Sequence, residues 1–179
     1  MQQASWDNVI IPPNLKSTMC RHVGSFFKNK STYDNIGITW KRGIILHGSW
    51  GNGKRISLKA MMKDLYYSLE VSPIPMLYVR HFQTGGGNEN ALHMIFGKAR
   101  SVAPCMVIFD GFDSLAAASS YFLNQWRSLD DNNGIFIVRI TEDMRSLDYR
   151  IHDSFCWRYE FDLPGNVEGG RPTYVEYWR

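Results

Sequence analysis

Short apolar runs that alternate with amphipathic segments constrain the fold of this chain more than any other feature of its sequence. The apolar runs predict strands at 43–47, 76–82, 105–109, 135–140 and 158–163, and the amphipathic segments predict helices at 14–28, 54–68, 88–102 and 120–129. Strands that are apolar on both faces and separated by helices are typical of a parallel sheet covered on both sides. We therefore predict an α/β fold. The 179 residues fit a single domain, 1–179, that ends in a short helix at 173–179.

The composition excludes several classes of protein. Apolar residues make up 44% of the chain and charged residues 21%, which indicates a globular protein and excludes disordered, collagen-like and coiled-coil chains. No apolar run approaches the roughly 20 residues of a membrane-spanning helix, and the N-terminus lacks a signal-peptide pattern. We therefore expect no membrane association and a cytosolic-type compartment, with the location otherwise unknown. The small net charge of +3 predicts no nucleic-acid partner, and the histidines and cysteines lack metal-ligand spacing.

A glycine-rich turn between the first strand and the next helix carries the strongest chemical signal. Its sequence, GSWGNGKR at 48–55, matches the phosphate-loop pattern GxxxxGK, but Arg55 stands where the pattern has Ser or Thr. Such a loop directs backbone N–H groups and a helix N-terminus at an anion. The candidate nucleotide-binding residues here are Gly48, Gly51, Asn52, Gly53 and Lys54. The alternative is a glycine turn that only joins a strand to a helix.

The third strand ends in an acid, where a nucleotide hydrolase places its metal-binding carboxylate. Asp110 fits that role, but Gly111 occupies the position of the second acid, which would activate water. Arg55 repels Mg²⁺ where a hydroxyl normally ligates it. A strand-end turn followed by a helix N-cap at Asp113 is the alternative interpretation.

Five segments together resemble the core of the AAA ATPase family. They are WDNVI at 6–10, WKRGIILHG at 40–48, APC at 103–105, YFLN at 121–124 and FDLP at 161–164. The resemblance covers almost the whole chain, and it is strongest to a fungal branch related to the mitochondrial translocase of the Rieske iron–sulfur protein. It implies a P-loop NTPase-like, five-stranded parallel sheet in the order 5-1-4-3-2, with the nucleotide site at the carboxyl ends of the strands. The family's helical lid and targeting region have no counterpart here, although the family suggests a mitochondrial association.

The departures from the family pattern fall in loops, and the predicted core is preserved. Random decay would also change the core, so we interpret the departures as a rewritten face at the carboxyl ends of the strands. Arg80 is one of these changes, and Glu142 lies in the run that carries the family's sensor Asn. The predicted ligand or partner face consists of Trp50, Arg55, His81, Phe112, Trp126, Arg127, Arg139, Glu142 and Trp157. Trp and Arg dominate binding hot spots.

These observations favour a non-catalytic binding module on an AAA scaffold that binds a protein or other ligand. No catalytic residue and no cofactor are predicted, apart from weak residual binding of ATP, phosphate or sulfate. The alternatives are an active AAA ATPase, a nucleotide-binding pseudo-ATPase and a degenerate paralogue. The changed finger region predicts a monomer. The sequence leaves open whether selection or protein design rewrote the face, and the missing lid favours an engineered scaffold.

Overall fold

The structure is a computed structural model that describes residues 5–68, 73–80, 85–111, 115–128 and 132–161. The predicted helix at 173–179 and the face residues His81 and Phe112 lie outside the described residues. The helices are α1 (Pro13–Lys28), α2 (Lys30–Ile36), α3 (Lys54–Ser68), α4 (Gly87–Ser101), α5 (Leu115–Arg127) and α6 (Tyr149–Asp153). The strands are β1 (Lys41–His47), β2 (Met76–Val79), β3 (Cys105–Asp110), β4 (Ile135–Thr141) and β5 (Trp157–Glu160).

The five strands form one parallel sheet in the order β2-β3-β4-β1-β5. This is the predicted order read from the opposite edge, so the predicted fold class is confirmed. Every residue of β3 and β4 is buried, as expected for central strands covered by helices on both faces. The short helices α2 and α6 were not predicted, because seven and five residues are too few to show a helical period.

Alternating side chains of the sheet supply two separate cores. Ile137 of β4 packs with α4 and α5 on one face, and its neighbour Val138 packs with α1 and α3 on the other. Because the strands are parallel, all of their carboxyl ends meet at one edge of the sheet, where β1 leads into α3. Within the described residues, no helix has the length and apolar character needed to cross a bilayer.

Candidate functional site

The loop between β1 and α3 is fixed against the end of the neighbouring edge strand. Gly48 has a φ of +135°, and a β-carbon there would overlap the carbonyl oxygen of Phe161, which follows β5. Asn52 is buried and donates a 2.6 Å hydrogen bond from Nδ2 to the same oxygen. Gly51 and Gly53 have φ values of +79° and +84°, in the left-handed region that favours glycine. These constraints give the loop the curled shape that the sequence motif predicts.

Lys54, the first residue of α3, is folded back onto its own loop. Its ammonium donates to the carbonyl oxygens of Gly48 and Ser49 at 2.5 and 2.7 Å, and only 7% of the residue is exposed. Burial lowers the pKa of Lys54, and Arg55 acts in the same direction, whereas Glu142 opposes the shift. The lysine that would contact outer phosphates is therefore engaged by backbone carbonyls.

Arg55 forms an ion pair with Asp110. Its Nε lies 2.8 and 3.0 Å from the two carboxylate oxygens, and the Asp110 side chain is 6% exposed whereas that of Arg55 is 47% exposed. The guanidinium also lies 5.5 Å from the centre of the Trp50 ring. The hydrogen bond to Asp110 raises the pKa of Arg55. Arg55 thus places a permanent positive charge beside the Asp110 carboxylate at the end of β3.

Tyr78 of β2 completes the surroundings of this carboxylate. Its hydroxyl donates a 2.5 Å hydrogen bond to Oδ2 of Asp110. Burial opposes ionisation of Asp110, but the hydrogen bonds from Arg55 and Tyr78 outweigh it and lower the pKa of Asp110. Burial is the largest cause, and the hydrogen bond to Asp110 the second, of a rise in the pKa of Tyr78 to about 12. No sequence motif marks Tyr78, and only the adjacency of β2 and β3 in the predicted strand order could have suggested its role.

The phosphate loop, Arg55 and Asp110 line a cavity of about 250 Å³ at the carboxyl ends of the strands. Its lining includes Trp50, Gly51, Asn52, Gly53, Lys54, Arg55, Asp110, Gly111 and Glu142. Two cations, Lys54 and Arg55, face two acids, Asp110 and Glu142, so the ionised side chains of the cavity sum to no net charge. Within the described residues, no cluster of three or more His, Cys, Asp or Glu side chains is arranged to hold a metal. These residues do not fit Mg²⁺, because Arg55 presents only donors at the position of the hydroxyl ligand.

The comparison with protein families decides the identity of this fold and loop. A sequence model of the ATPase family associated with various cellular activities (AAA) matches residues 44–163. The chain belongs to the AAA ATPase family. This span runs from the first strand through the phosphate loop and Asp110 to the end of the fifth strand, and it confirms the family predicted from the sequence motifs.

Several named AAA proteins are similar to this domain. An uncharacterized AAA domain-containing protein of Schizosaccharomyces pombe is 26% identical over 149 residues, which are 76% of this chain and 19% of that protein. The ATPase family gene 2 protein of Saccharomyces cerevisiae is 24% identical over 160 residues, 83% of this chain and 20% of that protein. A ribosome biogenesis ATPase of the same yeast is 26% identical over 149 residues, 76% and 17% of the two chains. The AAA domain described here spans about a fifth of the length of these relatives.

The predicted partner face is wrong for the residues near the end of α5. Trp126 is 4% exposed, belongs to the core beneath α4 and α5, and donates from Nε1 to the carbonyl of Ser154. Arg127 is exposed but lies at the amino-terminal ends of the strands. Lys41, at the start of β1, donates to the carbonyl of Trp126, the residue before Arg127. A helix between parallel strands must return to the amino-terminal edge, so the end of α5 cannot share a face with the phosphate loop.

Two further residues of the predicted face are also placed elsewhere in this AAA domain. Arg139 lies inside β4, paired with Ile45 and Phe109, and is 1% exposed. Trp157 begins β5 and is partly buried, with its ring stacked 4.3 Å from the His22 ring of α1. Of the predicted face, the structure brings together Trp50, Arg55 and Glu142 at the carboxyl edge.

Proposed function

We propose that this AAA domain is a non-catalytic binding module whose carboxyl edge, at Trp50, Arg55 and Glu142, binds a protein or other ligand. The observation that carries the proposal is the ion pair between Arg55 and Asp110. In an AAA ATPase the hydroxyl at position 55 and the acid at position 110 both serve Mg²⁺. Here a guanidinium takes the place of the hydroxyl and neutralises the acid.

The electrostatics of the loop support the same proposal. Glu142 adds a negative charge beside Lys54, as its effect on the Lys54 pKa indicates. A triphosphate entering this cavity must therefore approach a site with no net positive charge and without the metal that normally offsets its own charge. Gly111 also supplies no carboxylate to activate water. Binding of Mg²⁺·ATP and hydrolysis are both disfavoured.

Trp50 gives this edge the character of a binding surface. It is 69% exposed, although it is one of the largest apolar side chains in the protein. Its ring is held against the Arg55 guanidinium, so that an aromatic and a cationic group are presented together. Trp and Arg are enriched among the residues that dominate protein-binding hot spots. A monomeric state is part of the proposal.

A nucleotide-binding pseudo-ATPase is the second candidate function. The curled loop and Lys54 support it, because they retain the elements that contact phosphates in an AAA site. The similar proteins named as ATPases are the reason to test turnover directly. The relation to the Rieske-protein translocase branch stays a prediction, as does design rather than selection as the origin of the changed residues.

The proposal is tested by calorimetry with ATP, with and without Mg²⁺, and by an assay of phosphate release. We expect no Mg²⁺-dependent affinity and no phosphate release from the unmodified chain. Arg55→Thr should gain Mg²⁺-dependent affinity of at least about tenfold, because it releases Asp110 and supplies a hydroxyl. Lys54→Ala is the matched control in the same loop. Turnover by the unmodified chain that is lost in Lys54→Ala would overturn the proposal.

A further inference from the structure

A second cavity of about 390 Å³ lies beside the phosphate loop, between α3 and the end of β2. We call it the basic groove. It is lined by Arg55, Lys59, Tyr78, Arg80, Asp110 and Gly111. Three of these side chains are cationic and one is acidic, so the described residues of the groove carry a net charge of about +2, whereas those of the cavity at the phosphate loop sum to zero.

Asp110, the acid among the described lining residues, is already neutralised. Asp110 accepts hydrogen bonds from Arg55 Nε and from the Tyr78 hydroxyl, which use both of its oxygens. In the described part of the chain, every hydrogen bond of Arg55 is made through Nε, and its Nη donors make none. Lys59 and Arg80 are exposed and make no ion pair with a described residue. The groove therefore contains charged donors from three side chains around a carboxylate that is already satisfied.

Aromatic contacts hold two of these cations in place. The Arg55 guanidinium lies over the Trp50 ring at 5.5 Å, and the Arg80 guanidinium lies over the Tyr78 ring at 5.1 Å. Lys59 follows Arg55 by four residues on α3, which places both side chains on one face of the helix. Because the guanidinium planes are already oriented, a ligand that binds them loses less side-chain entropy on binding.

Three of the departures from the AAA pattern meet in this groove. Arg55 and Arg80 each present a guanidinium to it, and Gly111 leaves it without the acid found at that position in the family. A β-carbon on Gly111 would have Arg55 Nη2 as its nearest neighbour, at 4.0 Å. A side chain at position 111 would therefore extend toward the guanidinium donors. The change at position 55 adds a cation and the change at position 111 removes an acid, and both favour an anion in the groove.

We infer that the basic groove binds a phosphoryl group, carried by a phosphorylated side chain of a partner protein or by a small polyphosphate. A phosphoryl group has about −1.5 to −2 charges and three acceptor oxygens, which match a net charge of about +2 and three donor side chains. A single carboxylate carries half that charge and fewer acceptors. This inference deepens the proposed function and rests on it. Arg55 can donate hydrogen bonds to a phosphoryl group only if the site does not bind Mg²⁺.

The experiment is calorimetry with sodium pyrophosphate in EDTA on the full chain. We expect Lys59→Ala and Arg80→Ala each to weaken pyrophosphate binding about five- to tenfold, because each removes one charge-assisted contact. Lys98→Ala on α4 makes the same change of charge on the opposite face of the sheet, and its affinity should stay within about twofold. Lys54→Ala reports on the phosphate loop, so its affinity for pyrophosphate distinguishes binding at the loop from binding in the basic groove.

Two further probes separate the sources of the phosphoryl group. Tighter binding of a phosphoserine peptide than of pyrophosphate, lost in Arg80→Ala, supports a protein partner. Binding of pyrophosphate alone, with the same sensitivity to Arg80→Ala, supports a small polyphosphate. Equal binding of the unphosphorylated peptide, or loss of pyrophosphate binding in Lys54→Ala but not in Lys59→Ala, overturns the inference. None of these measurements depends on ATP turnover, so the phosphoryl-binding inference can fail while the proposal of a non-catalytic module stands.

Discussion

Tyr78 and Asp110 lie on neighbouring parallel strands and share a hydrogen bond of 2.5 Å between the tyrosine hydroxyl and carboxylate Oδ2. This hydrogen bond and those from Arg55 Nε engage both oxygens of the carboxylate that binds the metal in an AAA ATPase. The arrangement also links the stability of the domain to the ionisation of Asp110, because the folded state favours the charged form of this acid.

Asp110→Asn should remove part of the acid sensitivity of the domain. The folded pKa of Asp110 lies below its ordinary value of 3.8, so its contribution is fully present above that value and is lost as the pH falls through the folded pKa. At pH 7 we expect the variant to be less stable than the unmodified chain by about 1–3 kcal/mol. Below the folded pKa the difference should disappear. Urea unfolding at both pH values measures it, and Asp34→Asn on the exposed surface of α2 is the control.

Gly48→Ala should destabilise the domain by more than about 3 kcal/mol, because the new β-carbon would overlap the Phe161 carbonyl at a φ of +135°. Gly24→Ala is the matched control, since nothing outside the helix lies within 4 Å of a β-carbon at that position of α1. It should stabilise the helix by about 0.5–1 kcal/mol. Thermal unfolding of both variants gives the comparison. A Gly48→Ala variant as stable as the parent would show that the loop does not approach Phe161.

Trp126→Ala and Trp50→Ala should differ sharply in stability, although the sequence assigned both residues to one face. Trp126 is buried, and its loss should cost about 3–5 kcal/mol. Trp50 is 69% exposed, and its loss should cost less than about 1 kcal/mol. Chemical denaturation of the two variants measures both values. Equal costs would mean that Trp126 is not part of the core.

Gly111→Glu should not create an ATPase. Its φ of +76° disfavours any residue with a β-carbon, at a cost of about 1–2 kcal/mol. A glutamate there would also extend toward the Arg55 guanidinium and pair with it, leaving it unable to activate water. We expect lower thermal stability and no phosphate release, with Gly111→Asn less destabilised because Asn tolerates this region better. Phosphate release by Gly111→Glu alone would contradict the placement of Arg55.

The sheet could be predicted from the sequence because its strands are apolar on both faces, so burial alone identifies them. The order of the strands came from the family resemblance, and the loop residues came from the spacing of GxxxxGK. The predicted partner face is wrong at Trp126 and Arg127 for a geometric reason. The 13 residues of α5 rise about 20 Å, so a helix that starts at one edge of the sheet ends at the other.

The contacts of Asp110 were beyond sequence reasoning for a different reason. Arg55 is 55 positions away along the chain and Tyr78 is 32 positions away, and neither pairing follows a motif. The substitution at position 55 predicted a cation near the metal position. It did not predict that the cation would be held by the acid, which depends on the side-chain positions of α3 against β3.

Phe161 is the point at which the phosphate loop is attached to the rest of the chain. Its N–H donates to the carbonyl of His47 at 2.8 Å, its own carbonyl accepts from Asn52, and the backbone of Gly48 rests against it. β5, which precedes it, is a four-residue strand that pairs with β1 and lies at the edge of the sheet formed by the described strands. Tension carried by Phe161 would therefore act on these loop contacts and on the pairing of β5 with β1. A displacement of Phe161 would move the phosphate loop together with the edge strand.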